Sequence, residues 1–199
     1  MDGLKEFSSA TPLLLVGCGK MGSALLEGWL KAGLSEDAVI VVDPATRQTT
    51  NFELPRSAMV REIAGLPDHL SPRLVVLAVK PQMMPGVLDN FAAREHLSAT
   101  VLTIAAGTRI STIRDSLGDD VAVIRSMPNT PAAIGQGITS FYAGPEVGID
   151  DAMLAQTLME TSGQTVWVED EDMIDAATGV AGSGPAYVFY MVGDRKSVA

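Results

Sequence analysis

The feature that most constrains this chain is an apolar strand that runs directly into a glycine-rich turn. The segment reads Leu13-Leu14-Leu15-Val16-Gly17-Cys18-Gly19-Lys20-Met21-Gly22, and a helix-forming stretch follows it. A strand, the pattern G-x-G-x-x-G and a helix in this order are typical of a turn that binds a dinucleotide. We therefore predict such a site here. The alternative is a glycine-rich turn that merely joins a strand to a helix.

Each glycine of this turn has its own expected role. Gly17 permits a tight turn, Gly19 has no side chain to keep a pyrophosphate from the backbone, and Gly22 allows the helix to pack closely on the strand. The N–H groups of the first helical turn then face the phosphates, and the helix dipole favours their negative charge.

Composition narrows the class of protein. Hydrophobic residues make up 47% of the 199 residues, which is enough for a large core. The net charge of −10 comes without a basic run, so we expect neither nucleic acid nor a membrane surface as a partner. Cys18 is the only cysteine, which fits a reducing, cytoplasmic setting. His69 and His96 lack the spacing of metal ligands, so we expect no metal site.

The order of apolar segments predicts an α/β fold of the Rossmann type, with a doubly wound, mostly parallel sheet. Strand patterns alternate with helical patterns, which indicates parallel β-α-β units. Strands are expected at about 12–16, 38–42, 57–60, 74–79, 100–105, 121–125, 138–142 and 165–168. Helices are expected at about 20–32, 46–53, 110–117 and 151–161, with a further one opening at Pro81. Residues 1–11 are expected to form a loose extension.

Two side chains after the second strand give opposite indications about the cofactor. Asp43 ends that strand, where a carboxylate can accept a hydrogen bond from a ribose 2′-OH, which favours NAD. Arg47 follows and could pair with a 2′-phosphate, which favours NADP. Alternatively, Asp43 belongs to a plain turn and Arg47 is a surface charge. The choice between NADP and NAD stays open.

Later strands also end in residues that could line the cleft. Ala78-Val79-Lys80-Pro81 leaves one buried strand, and Ala105-Ala106 ends the next with small residues that would let a flat ring lie close to the backbone. Asn129 sits in a turn between two prolines and could hold a substrate or nicotinamide group. Its amide could equally satisfy its own backbone.

These segments together resemble the pyrroline-5-carboxylate reductase family. The similarity includes the glycine turn, Ala78-Val79-Lys80-Pro81-Gln82 and Ala105-Ala106-Gly107-Thr108. The more specific motifs are Arg125-Ser126-Met127-Pro128-Asn129-Thr130-Pro131-Ala132 and Gly182-Ser183-Gly184-Pro185-Ala186-Tyr187. The similarity runs from about Pro12 to about Val192.

The resemblance implies hydride transfer from NADPH or NADH to the C=N carbon of 1-pyrroline-5-carboxylate, giving L-proline. It implies cofactor contacts along the glycine turn and at the ends of three later strands. The implied cofactor-binding residues are Val16, Gly17, Cys18, Gly19, Lys20, Met21, Gly22, Ala78, Val79, Lys80, Pro81, Ala105, Ala106 and Asn129. It assigns no catalytic residue within this chain.

The chain also departs from the family pattern. The family continues into a helical domain that makes the homo-oligomer and carries a substrate loop resembling S-P-G-G-T-T, which this sequence lacks. We therefore predict an extension at 1–11, a dinucleotide-binding domain at 12–170 and a truncated helical domain at 171–199. Tyr187, Phe189, Tyr190 and Met191 are expected to form an exposed patch. Whether this chain self-associates stays open.

We expect this chain to bind the cofactor and to show weak activity or none. Two alternatives remain. The chain could be a catalytically silent NAD(P)-binding fragment, or another NAD(P)-dependent reductase of imines or hydroxyacids.

Overall fold

One sheet organises the molecule. In the computed structural model, which describes residues 2–45, 54–94 and 98–195, the sheet has eight strands. Along the chain they are β1 (Leu13–Val16), β2 (Val39–Val42), β3 (Met59–Val60), β4 (Leu74–Leu77), β5 (Thr100–Thr103), β6 (Val123–Met127), β7 (Gly137–Ala143) and β8 (Gly163–Trp167). Their order across the sheet is β3-β2-β1-β4-β5-β6-β7-β8.

The strand order places a cleft next to β1. The chain first moves outward from β1 to β2 and β3, then returns to add β4 on the other side of β1. The strands from β3 to β6 across the sheet are parallel, so their carboxyl ends share one edge. The reversal between β1 and β4 is the place where open α/β sheets bind ligands. The predicted α/β, mostly parallel fold is confirmed.

The sheet is mostly parallel, and its antiparallel part is the pairing of β6 with β7. This strand pairs antiparallel with β6, with Ser126 opposite Phe141. The connection between them is short and contains only a 3-10 turn, Thr130–Ile134. A parallel connection needs a crossover of about a dozen residues or more, so this short link allows only an antiparallel return. The last strand, β8, is parallel to β7.

Helices cover both faces of the sheet. They are α1 (Lys20–Lys31), α2 (Met84–Ala92), α3 (Ile110–Leu117), α4 (Ile149–Glu160), α5 (Asp172–Ala177) and α6 (Gly184–Arg195). Leu13 and Leu15 face one core cluster together with Trp29 of α1 and Leu158 of α4. The alternate positions of β1 face a second cluster that contains residues of α2 and α3. Because β1 is buried on both faces, it can be apolar at every position.

The N-terminal residues correct one prediction. They were expected to form a loose extension, but Asp2–Glu6 forms a 3-10 helix. Leu4 and Phe7 are buried in the same cluster as Leu154 and Leu158 of α4. Two apolar side chains three positions apart lie on one side of such a turn, and burying them against α4 favours order over a free tail.

The C-terminal helices leave apolar side chains exposed. A π-helical turn, Thr178–Gly182, joins α5 to α6. In α6 the aromatic side chains of Tyr187, Phe189 and Tyr190 are exposed by 65%, 64% and 78%, and Met191 is also exposed. The predicted exposed patch is confirmed. Within the described part of the chain, no helix combines the length and apolar character that a membrane crossing requires.

Candidate active site

The glycine turn brings β1, β2 and β4 together. Gly17 has φ +92°, in the region that favours glycine, and its N–H donates to the carbonyl oxygen of Val42 at 2.8 Å. A Cβ atom at Gly17 would lie 2.7 Å from the carbonyl oxygen of Ala78. A side chain here would therefore force β1 and β4 apart at the cleft.

The other two glycines differ in what surrounds them. A Cβ atom at Gly22 would lie 2.3 Å from the carbonyl oxygen of Gly17, so the close approach of α1 to the turn requires glycine. A Cβ atom at Gly19 would meet nothing within 4 Å, and its φ of −71° suits any residue. Packing therefore explains Gly17 and Gly22, whereas Gly19 faces open space.

The start of α1 offers donors to an anion. Gly19 is the N-cap residue, so no side chain caps the helix, and the first turn carries no acidic residue. The first N–H groups of an α-helix have no partner inside the helix. Uncapped N–H groups at the positive end of the helix dipole can bind a phosphate group.

Asp43 supports the glycine turn from the neighbouring strand. Its Oδ2 atom accepts a hydrogen bond from the backbone N–H of Cys18 at 2.6 Å. Its Oδ1 atom accepts one from the N–H of Ala45 at 2.7 Å. Both carboxylate oxygens therefore accept hydrogen bonds from backbone N–H groups, one in the glycine turn and one in the loop after β2. A contact from Asp43 to a ribose remains a prediction. Arg47, the other cofactor candidate of this loop, lies outside the described residues.

A cavity of about 520 Å³ opens at the carboxyl ends of β1, β2 and β4. Its volume lies within the range of small-molecule and cofactor sites. Of the predicted site residues, it brings together Val16, Gly17, Gly19, Asp43, Ala78, Val79 and Lys80.

Several residues of this cavity were not foreseen from the sequence. Arg61 and Glu62 reach it from the end of β3, Met83 from the 3-10 turn after β4, and Asn90 from α2. The available signal was the short strand before Arg61, because a residue that follows a strand of this sheet lies at the carboxyl edge. The pairing of β3 with β2 could not be deduced from that pattern.

The remaining predicted residues lie around this cavity but not in its lining. Cys18 is buried, while Lys20, Met21 and Gly22 belong to the first turn of α1. Pro81 begins a 3-10 turn after β4. Ala105 and Ala106 follow β5, and Asn129 follows β6, so all three lie at the same edge of the sheet farther from β2.

The side chain of Asn129 already makes one backbone contact. Its Oδ1 atom accepts a hydrogen bond from the N–H of Ile138 at 2.9 Å, which ties the turn after β6 to the start of β7. The residue is largely buried. This contact is neither of the two uses foreseen for the amide, because Ile138 lies nine positions along the chain and does not belong to Asn129's own turn.

A cluster of charges joins the sheet to α5. Arg125 of β6 is buried, and its guanidinium group contacts Glu171 and Asp175. The exposed Arg109, just before α3, contacts Asp172 and Asp175. Its hydrogen bond with Asp172 raises the pKa of Arg109 above its ordinary value. Glu171 and Asp172 lie at the start of α5, where negative charge complements the helix dipole.

Reductases of known structure share this arrangement. Residues 13–107 match the family model described as NADP oxidoreductase, coenzyme F420-dependent. The fold is similar to a pyrroline-5-carboxylate reductase from Coxiella burnetii, with a TM-score of 0.79 and 26% identity over 93% of this chain and 68% of that chain. It is equally similar, at a TM-score of 0.79 and 26% identity, to a Plasmodium falciparum pyrroline carboxylate reductase with NADP bound, over 94% of this chain and 68% of that one.

Curated relatives carry the same name. The chain is 33% identical to the pyrroline-5-carboxylate reductase of Haemophilus influenzae over 90% of its own length and 66% of that protein. It is 32% identical to the enzyme of Pseudomonas aeruginosa over 92% of its length and 67% of that protein. The chain thus spans about two thirds of the length of these relatives. An identity of this level over nearly all of the chain, on a shared fold, makes it a member of the pyrroline-5-carboxylate reductase family.

Proposed function

We propose that this chain binds NADPH or NADH in the cleft beside β1 and serves the reduction of 1-pyrroline-5-carboxylate to L-proline. The substrate is a small molecule in this proposal. It rests on the glycine turn described above and on the relatives that bear this activity in their names. The Plasmodium falciparum relative, which holds NADP, supports the choice of cofactor class.

The observation that carries the proposal is the open space at Gly19. A side chain there would meet no protein atom within 4 Å, and the backbone conformation does not require glycine. Neither packing nor strain therefore accounts for a glycine at this position. A ligand that must approach the backbone closely does account for it, and a diphosphate above the first turn of α1 is such a ligand.

Different residues of the cleft would bind different parts of the cofactor. The N–H groups at the start of α1 would neutralise the diphosphate, and Asp43 holds the N–H of Cys18 and therefore the shape of the turn. Lys80, which lines the cavity after β4, adds a positive charge. Ala105, Ala106 and Asn129 would border the nicotinamide end. When bound, the nicotinamide supplies the hydride, and the protein's part is to orient it and exclude water.

The division of the chain and its location are also proposals. We assign residues 12–170 to a dinucleotide-binding domain and residues 171–199 to the start of a helical one. The position of β8, the last strand along the chain, and of α5 after it supports that boundary. The lone cysteine supports a cytoplasmic setting.

A matched pair of variants tests the proposed cofactor site. Gly19→Asp places a good N-cap residue and a negative charge where the diphosphate would lie. Gly148→Asp makes the same change at the N-cap of α4, where the glycine also has φ −71° and open space around its Cβ. We expect Gly19→Asp to weaken NADPH binding by about a hundredfold or more, because charge-assisted hydrogen bonds are lost to repulsion.

The control should bind NADPH like the parent chain, and both variants should melt at or slightly above the temperature of the parent without cofactor, because Asp is a good N-cap residue. Equal NADPH binding by the two variants would contradict the site. Addition of 1-pyrroline-5-carboxylate to the NADPH-bound parent, with proline measured as product, tests the reductase part of the proposal. We expect NADPH binding with weak proline formation or none. Binding without any proline formation would favour the catalytically silent NAD(P)-binding fragment over a working reductase, and robust proline formation would contradict the expected weak activity.

A further inference from the structure

We propose that Arg61 selects NADPH over NADH by binding the 2′-phosphate of the adenosine ribose. This inference rests on the proposed cofactor site and identifies the residue that would bind the 2′-phosphate, the group that distinguishes NADPH from NADH. Arg47, the candidate from the sequence, follows β2, whereas Arg61 follows β3.

Strand pairing places Arg61 beside the ribose end of the cleft. Val42 pairs with Val60 in the parallel ladder of β2 and β3, and the N–H of Asp43 donates to the carbonyl oxygen of Val60 at 3.0 Å. The residues that follow these strands, Asp43 and Arg61, are therefore neighbours at the carboxyl edge. Neighbouring strands lie about 4.8 Å apart, a distance that an arginine side chain easily spans.

The direction of the cleft connects Arg61 with the 2′ position. The cavity runs from Gly17 and Gly19 after β1, across Asp43 after β2, to Arg61 after β3. In dinucleotide-binding sheets the diphosphate lies at the glycine turn and the adenosine ribose lies over the end of β2. A substituent on the ribose 2′ oxygen that points away from β1 is then directed towards β3.

The guanidinium group of Arg61 is available for a ligand. Among the described residues, none forms a hydrogen bond or ion pair with it, whereas Arg73, Arg94, Arg109, Arg114 and Arg125 all have such partners. Arg61 is exposed and lines the cavity. Its planar group can bind two phosphate oxygens at once.

Asp43 is less suited to deciding the cofactor than its position suggests. Both of its oxygens accept backbone N–H groups, so its charge is partly neutralised and its orientation is set by the glycine turn. Glu62 also lines the cavity and would repel a phosphate. Arg61 is the cation of the described cavity lining that can offset these two carboxylates at the β3 end, since Lys80 lies across β1 on the β4 side.

The experiment compares Arg61→Gln with the parent chain in titrations with NADPH and with NADH. Lys31→Gln is the matched control, because it removes one positive charge from an exposed side chain at the far end of α1. A second titration uses adenosine 2′,5′-bisphosphate and ADP, which isolate the adenosine half of the cofactor. The melting temperature of each variant without ligand verifies folding.

We expect Arg61→Gln to lower the affinity for NADPH and for adenosine 2′,5′-bisphosphate by about tenfold. The affinities for NADH and ADP should change by less than about twofold, because these ligands lack the 2′-phosphate. Arg61→Lys should recover part of the loss, and added salt should reduce the parent's preference for NADPH. Equal effects on both cofactors, or no effect, would overturn the role of Arg61 and leave the proposed cofactor site standing. Failure of the parent to bind either cofactor would overturn the proposed site itself.

Discussion

The Nη1 atom of Arg125 lies 3.2 Å from Oε1 of Glu171, and the same oxygen accepts the backbone N–H of Ile110 at 2.9 Å. Arg125 belongs to β6 and is 1% exposed, Ile110 begins α3, and Glu171 directly precedes α5. One carboxylate therefore ties the sheet to the starts of two helices. The C-terminal helical segment is attached to the sheet through this contact and through Asp175.

The first prediction concerns this carboxylate. Glu171→Gln removes the negative charge that faces the buried guanidinium group of Arg125. It should lower the free energy of unfolding by about 1–3 kcal/mol, because the buried positive charge loses one of its two ionic partners. Glu169→Gln is the control, since that side chain is exposed and forms no ion pair with a described residue. Urea unfolding measures both. Indistinguishable midpoints would show that Asp175 alone satisfies Arg125.

The second prediction compares two helical glycines. Gly22→Ala should destabilise the chain by about 1–3 kcal/mol, because its Cβ atom would lie 2.3 Å from a backbone carbonyl oxygen that cannot move aside without distorting the turn. Gly86→Ala in α2 should leave stability unchanged or raise it by up to about 1 kcal/mol, since its Cβ atom meets nothing within 4 Å and alanine favours a helix.

Thermal unfolding of the two alanine variants measures these opposite signs. If Gly22→Ala were as stable as the parent chain, the conclusion that α1 packs too closely on the glycine turn to admit a side chain would be wrong. A large loss for Gly86→Ala would show that α2 is more crowded on this side than the structure indicates.

The third prediction separates the two uses of Asn129. Asn129→Asp keeps an oxygen that can accept the N–H of Ile138, so stability should change by less than about 1 kcal/mol. It removes the amide donor and adds a negative charge, so NADPH affinity should fall by about tenfold if the amide faces the nicotinamide end. Asn129→Ala, which also loses the acceptor, should lower both stability and affinity.

Calorimetric titration with NADPH and thermal unfolding distinguish these outcomes. Unchanged NADPH affinity in Asn129→Asp would assign the side chain to the turn after β6 alone. That result would contradict the proposed contact between Asn129 and the nicotinamide end of the cofactor.

Much of the fold follows from local patterns in the sequence. The strands and α3 were predicted within a few residues, because runs such as Leu74–Leu77 are apolar at every position and Ile110–Leu117 has helical spacing. The glycine turn was equally predictable, since strand, glycines and helix adjoin along the chain. The short predicted helix at 46–53 lies outside the described residues.

Contacts between distant segments could not be deduced in this way. The hydrogen bond from Cys18 to Asp43, the pairing of Arg125 with Glu171 and the burial of Leu4 against α4 each depend on how the elements pack. The antiparallel direction of β7 depends on its pairing with β6, which the strand pattern alone does not reveal.

The class of fold and the position of the glycine turn could be predicted from the sequence, because both depend on residues close together along the chain. Which residues border the cleft around that turn depends instead on contacts between segments that are distant along the chain. Arg61 reaches it through the pairing of β3 with β2, and Gly19 is distinguished from Gly17 and Gly22 by the space around it. Sheet order and packing are properties of the whole chain, so they set the lining of the cavity and the partners of its charges.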